Sequence, residues 1–340
     1  TVDFDPPEGK DMVTATVNTF FSFIQKFDAN GNMLWVKIIE GNTYTMANSI
    51  AVDNNGYLYI TGTYKGDIDF DFSSNTHILS SEYQHNGPRS LDIFILKLDQ
   101  NANFIWAESI GGTSEDRGTG IAVDNQGGVA VTGYFNGTTD FDNGPNEYEL
   151  SVGFYKSIFV LKIEASNGDF VGAEKLSGSF TDYKGDIVKF DALGNIYVSG
   201  NSSRGQIQKY SPTCNLIWSV QLSGASTNNV ESLAVDANGN VFVTGFFYNT
   251  LDFDPSLVTY NVTATGVSSN DYLLKLNADG SFGWVKVIES NSYSYSQQVH
   301  VDGDDLYFAG TYSGVVDFDF GSNVYNKESS LINVFLLKMD

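Results

Sequence analysis

An all-β chain, built from one four-stranded unit repeated about six times, is what the sequence predicts, and three observations predict it. The segment Ser49 to Gly62, SIAVDNNGYLYITG, returns as GIAVDNQGGVAVTG ending at Gly133, DIVKFDALGNIYVSG at Gly200, SLAVDANGNVFVTG at Gly245 and QVHVDGDDLYFAG at Gly310. A lysine motif forms a second series: FSFIQKFD at Lys26, DIFILKLD at Lys97, SIFVLKIE at Lys162, GQIQKYS at Lys209, DYLLKLN at Lys275 and VFLLKMD at Lys338. Every apolar run is strand-length, rich in β-branched and aromatic residues, and alternates with period two, while no helical window competes.

Each unit holds four runs: a (SIAVD), b (YLYITG), c (IFILKL) and d (NFIWAES). In run c, Phe94, Leu96 and Leu98 face one way and Ile95, Lys97 and Asp99 the other. Run d carries Trp35, Trp106, Trp218 or Trp284, with Gly172 in that place in the third unit. Between a and b lie DNNG, DNQG, DALG, DANG and DGDD, and between c and d lie DANG, DQNAN, EASNG, SPTC and NADG. Asp, Asn and Gly accept positive φ and cap a reversal with side-chain bonds, so these are tight hairpins. In an antiparallel a-b-c-d sheet both hairpins fall at one end, and the b-to-c and d-to-next-a connections fall at the other. Gly200 and Lys209 are close in sequence, so the fourth unit is the bare module; the others carry an insertion of about 20 residues between b and c.

Small four-stranded sheets that cannot bury a face alone stack radially, which predicts a single β-propeller over residues 1–340. The expected divisions are a partial blade 1–40, blades 47–110, 117–176, 184–222 and 230–288, and a partial blade 296–340. Runs a and b are missing from the first unit and run d from the last. A ring of six or seven blades in a longer parent chain is expected, or of five if the ends share a blade. The runs IAVDNNGYLYITGTYKGDIDFD and DIFILKLDQNANFIWAESIGG, with the recurring Asp-Phe-Asp, resemble the SBBP repeats of secreted bacterial seven-bladed propellers, on an NHL-like blade pattern. That resemblance implies a fold, an exported or cell-surface location and, in many such proteins, a separate C-terminal sorting domain for type IX secretion. It does not imply an activity.

Composition narrows the function. With 41 Asp+Glu against 18 Lys+Arg the formal charge is -23, which repels nucleic acid and anionic lipid. The single cysteine, Cys214, excludes an internal disulfide, and His77, His85 and His300 have no metal-site spacing. No apolar run reaches the ~20 residues of a membrane span and no signal peptide is evident, so a chain starting at Thr1 reads as processed or as part of a longer one.

Recurrence separates structural from functional residues, because a residue demanded by blade geometry returns in every blade. The six lysines, the tryptophans and the turn residues Asp53, Asp124, Asp191, Asp236 and Asp302 are structural on that ground. The recurring Asp-Phe-Asp pairs, Asp3/Asp5, Asp69/Asp71, Asp140/Asp142, Asp252/Asp254 and Asp317/Asp319, are either Ca2+ ligands or caps on local backbone N–H groups. They lack EF-hand spacing, and no cofactor is expected apart from Ca2+. Unique residues gather in the d-to-a connections, and Tyr44, Glu115, Asp116, Arg117, Tyr183, Tyr293 and Tyr295 are the candidate ligand-binding set. The expected function is a non-catalytic extracellular scaffold engaging a surface protein or glycan on its long-loop face. A carbohydrate lyase or hydrolase with acids at Glu115 and Asp116, and a Ca2+-stabilised adhesin, are the alternatives.

Overall fold

The computed structural model describes residues 2–3, 12–13, 20–41, 43–84, 87–124, 126–153, 155–176, 187–200, 205–224, 228–264, 269–289, 292–321 and 323–339. Thr1–Lys175 and Leu176–Asp340 form two compact units.

In the first unit, a two-stranded c-d pair, Ser22–Phe27 with Met33–Ile39, precedes two complete blades. The next blade orders Tyr44–Val52, Leu58–Lys65, Asp92–Leu98 and Phe104–Gly112 as a-b-c-d. The one after it orders Arg117–Val123, Gly128–Phe135, Ser157–Glu164 and Phe170–Lys175 in the same way. The second unit contains the bare blade, Ile187–Phe190, Ile196–Gly200, Gln206–Tyr210 and Leu216–Gln221. A full blade follows, Asn228–Val235, Val241–Phe247, Asn270–Leu276 and Phe282–Ile288. A three-stranded a-b-c sheet, Tyr293–Asp302, Asp305–Asp317 and Asn326–Met339, comes last. Every pairing within these blade sheets is antiparallel, so both tight turns lie at one end of each blade, as the turn lengths predict.

Alternation along run c places its faces in two cores. Phe94, Leu96 and Leu98 pack with Ile24 and Ile39 of the preceding c-d pair, while Ile93 and Ile95 pack with Val129, Phe159 and Leu161 of the following blade. The second unit repeats this with Tyr272, Leu274 and Leu276 on one side and Leu273 and Ile288 on the other.

Two irregularities recur and explain residues that the repeat holds fixed. Strand a bulges opposite strand b, at Ala47/Ser49, Gly118/Gly120, Val230/Ser232 and Ser296/Gln298. Just there strand b has Gly62, Gly133, Gly245 or Gly310, where an added Cβ would run into the carbonyl of Met46, Arg117, Asn229 or Tyr295. The turn aspartates behave as their position suggests: Oδ1 of Asp53, Asp124, Asp191 and Asp236 accepts the N–H groups two and four residues on. Asp302 differs, since it pairs directly with Asp305 across a two-residue turn at Gly303 (φ 61°).

The insertions are not plain loops. Asp67–Asp69 with Ile78–Ser80, Thr138–Asp140 with Glu149–Ser151, and Thr250–Asp252 with Asn261–Thr263 are small hairpins. Each reaches the end of the preceding d strand: Gly41 bridges Ile68, Gly111 and Gly112 pair with Asp140 and Thr139, and Ser223 and Gly224 pair with Asp252 and Leu251. In the last sheet the insertion is the outer part of strands b and c themselves, out to Asp317 and Asn326.

Candidate functional site

The c-strand lysines and d-strand tryptophans, nine residues apart in sequence at Lys26/Trp35, Lys97/Trp106, Lys209/Trp218 and Lys275/Trp284, are direct cross-strand partners. Each pair lies on one sheet face, and Lys26, Lys97 and Lys209 reach the next blade with their ammonium groups. Lys97 Nζ donates to Ala165 O at 2.6 Å and Trp106 Nε1 to the same carbonyl at 3.3 Å. Lys209 Nζ and Trp218 Nε1 meet Ala278 O at 3.3 and 3.1 Å, and Lys26 Nζ meets Gln100 O at 3.0 Å. The accepting residue is each time the third past the next blade's own lysine, at the apex of its c-d turn. Lys97 also lies 4.6 Å from the Tyr57 ring centroid, and burial pulls its ammonium below the ordinary lysine range. Lys162 pairs with Asp124 at 2.9 Å, Lys209 with Asp191 at 3.6 Å and Lys338 with Asp305 at 2.8 Å.

The Asp-Phe-Asp motif is a turn clamp. Phe70, Phe141, Phe253 and Phe318 are buried. Oδ1 of the first aspartate accepts two backbone N–H groups, from Asp71 and His77 at Asp69, Asp142 and Tyr148 at Asp140, Asp254 and Tyr260 at Asp252, and Asp319 and Tyr325 at Asp317, all at 2.8–3.1 Å. Oδ1 of Asp71, Asp142, Asp254 and Asp319 accepts the N–H two residues on. Among the described residues no group of three or more His, Cys, Asp or Glu side chains gathers as a metal would require. Phe4 and Asp5 of the first copy lie outside the described residues.

The register on strand a sorts the ligand candidates by depth. One residue beyond the recurring strand-b glycine, the opposing position holds Met46, Arg117, Asn229 or Tyr295, and none of these is buried. The next position holds Thr45, Asp116, Asn228 or Ser294, and all four are buried. This buried position ties blades together: Thr45 Oγ1 donates to Ile39 O, and Asn228 Oδ1 accepts Gly205 N–H. Asp116 accepts from Gly112 N–H (2.8 Å), Asn136 N–H (3.1 Å) and Thr139 Oγ1 (3.2 Å). Burial pushes its carboxyl up to about 8, against these donors, which favour the ionised form.

Glu115 turns the other way. Its Oε1 receives Arg117 Nε at 2.8 Å and Nη2 at 2.6 Å, and its Oε2 receives Lys156 Nζ at 2.9 Å. Lys156 lies 4.3 Å from the Tyr134 ring centroid and Arg117 lies 5.9 Å from it. Burial would raise the Glu115 carboxyl, but Lys156 and Arg117 outweigh it and hold the group below its ordinary value. The adjacent acids therefore do not converge. Two cations and one carboxylate, each partly exposed over the buried Tyr134 ring, make a patch suited to holding a polar or anionic group. Tyr44, half-buried, packs edge-on against Phe20 at 6.1 Å. In the second unit Tyr295 stacks on Phe246 at 5.6 Å, and Phe246 meets Tyr248 edge-on at 5.9 Å. Tyr293 begins its strand a, and Tyr183 lies outside the described residues. Lys156 and Tyr134 are absent from the sequence-based set: neither recurs nor lies in a d-to-a connection, so only the folded register brings them to Glu115.

A family model described as the SBBP β-propeller repeat matches residues 34–69 and 217–245. These two stretches each run along blade strands, and the four-stranded antiparallel sheets have the build of β-propeller blades. It is similar to an uncharacterised WD repeat-containing protein of Acanthamoeba polyphaga mimivirus, 23% identical over 364 residues that cover 86% of this chain and 26% of the relative. The chain thus spans about a quarter of the length of that curated relative. Similar solved structures include BamB from Moraxella catarrhalis (10% identity, 84% of this chain and 85% of that one, TM-score 0.36). Another is a protein of unknown function from Bacteroides caccae (12% identity, 75% and 86% covered, TM-score 0.37).

Proposed function

We propose that the protein is a non-catalytic binding propeller that works outside the cell or at its surface and engages a protein partner through the blade ends carrying the d-to-a connections. The observation that carries this reading is the patch of Glu115, Arg117 and Lys156 over the buried Tyr134 ring, where a carboxylate locked between two cations leaves a charged, partly exposed surface with no free acid or base. Around it, polar residues that recur are committed to turns and blade contacts, whereas Tyr44, Glu115, Arg117 and Tyr295 differ from blade to blade. Such variation on a fixed frame suits recognition. The strongly acidic composition supports an exported protein.

A binding screen against surface proteins and a glycan panel, with wild type and the Arg117→Ala/Lys156→Ala double variant, tests this. A hit that weakens about 10-fold or more in the double variant, with its melting temperature unchanged, is the expected result. Turnover of any glycan that disappears on changing Glu115 or Arg117 would replace it with the lyase or hydrolase reading.

A further inference from the structure

Five residues before its lysine, strand c carries a buried polar residue at Asp92, Ser157 and Asn270. The buried position on strand a is polar too, at Thr45, Asp116, Asn228 and Ser294. Neutral side chains therefore satisfy blade geometry at both places. Among the described residues, only the junction of the second repeat with the third has an acid at each, Asp92 and Asp116.

The two carboxyls grip one stretch of backbone at the end of strand d. An added Cβ on Gly111 would come within 2.4 Å of Asp92 Cγ, and Gly112 N–H donates to Asp116 Oδ2 at 2.8 Å. Ser90 Oγ lies 2.7 Å from Asp92 Oδ1 and 2.9 Å from Gly112 O, while Asp116 N–H donates to Leu91 O at 2.7 Å. The loop ahead of strand c also turns Glu82 N–H to Asp92 Oδ2 at 2.7 Å, and brings the Glu82 carboxylate and Arg89 near it. From strand b comes Tyr64, whose hydroxyl is held by Ser109 at 2.6 Å. Asp116 meets Asn136 N–H and the inserted hairpin at Thr139, and its neighbours Glu115 and Arg117 turn outward to the patch.

Neither acid has a salt-bridge partner among the described residues: Arg89 pairs with Asp67 at 2.8 Å, and Arg117 and Lys156 pair with Glu115. Asp92 is 1% and Asp116 0% exposed, so ionising both places two like charges in a buried space without a counter-ion. Burial pushes the Asp92 carboxyl up to about 6 and that of Asp116 up to about 8, and the charge on Asp92 adds to the rise at Asp116.

We propose that Asp92 and Asp116 form a proton-operated latch beneath the Glu115/Arg117/Lys156 patch. While the pair keeps a proton, both side chains hold Gly111 and Gly112 and fix the start of strand a. When the last proton leaves, like charges on either side of that backbone loosen the strand start and the patch with it. The latch rests on the binding reading of the patch and supplies its regulation. Both carboxyls lie above the unfolded value of 3.8, so the folded chain keeps protons that the unfolded chain releases. The pair's contribution is therefore full below about pH 4, falls as pH rises to about 8, and levels off above.

Carboxyl NMR titration of aspartate-labelled protein, with amide exchange at pH 6 and pH 9, tests this. Two carboxyls are expected to titrate near 6 and 8, and Asp116→Asn should lower the Asp92 midpoint. Protection factors at Glu82, Gly112 and Asn136 should fall about 10-fold or more between the two pH values, together with that of Arg117 Nε–H. The Asp92→Asn/Asp116→Asn double variant should lose this fall; Asn228 and Asn270 show that blades accept asparagine at both positions. Wild-type midpoints below about 5 for both acids overturn the latch, as does an equal fall in the double variant. A ligand from the binding screen that the wild type holds equally at pH 6 and pH 9 would also overturn it, and would leave the binding reading standing. A screen without a hit would defeat the binding reading alone, because the titration and the exchange are read without a ligand.

Discussion

At the scale of single residues, position in the repeat decides what a side chain does. Gly133 lies opposite the strand-a bulge, so Gly133→Ala must displace the backbone of Arg117. A loss of ~3 kcal/mol or more in urea melts is expected. Asp271 shows the opposite case, a residue that breaks the repeat. It occupies the place of Ile93 and Ile158, four residues before the lysine, and is completely buried. Neither of its oxygens has a well-formed hydrogen bond, and the Ser294 hydroxyl and Ser296 N–H are its nearest donors. Burial pushes its carboxyl up to about 7 from 3.8. The folded state then holds a proton that the unfolded state releases, so this group's contribution falls as pH rises from about 4 to about 7 and levels off above. Asp271→Val should therefore stabilise the protein by ~1–3 kcal/mol at pH 8 and by less at pH 5, measured by denaturant titration at both values.

At the scale of elements, the inserted hairpin is the main addition to the bare blade. Its Asp-Phe-Asp clamp closes the turn, buries a phenylalanine, and sets the hairpin edge against the preceding d strand. Asp140→Ala removes the acceptor for Asp142 and Tyr148 N–H and is expected to cost ~1–2 kcal/mol. Because these oxygens already accept N–H groups, EDTA should leave the melting temperature of the wild type unchanged; a fall on chelation, reversed by Ca2+, would favour the adhesin reading.

The strands and the turns were legible in the sequence, since period-two alternation and Asx turns are local. The hairpin's pairing with the preceding blade was not, because a partner more than 20 residues away leaves no local pattern. The same holds for the site. Glu115 and Arg117 stand out as residues that do not recur, while Lys156 joins them only through the b-c register.

At the scale of the whole molecule, the same contact between neighbouring blades appears within each of the two units. Turns at one end are joined by the lysine and tryptophan of the preceding blade, and buried polar residues such as Asp116 and Asn228 join blades at the other. On the proposed reading, recognition falls to the positions between them that vary. Hydrogen exchange on Lys97→Met tests this division most directly. The account predicts that the amides of Glu164 to Gly168, in the turn of the following blade, exchange about 10-fold faster while those of Asp92 to Leu98 change little. Loss of protection confined to Asp92–Leu98, with the turn at Ala165 unaffected, would contradict it.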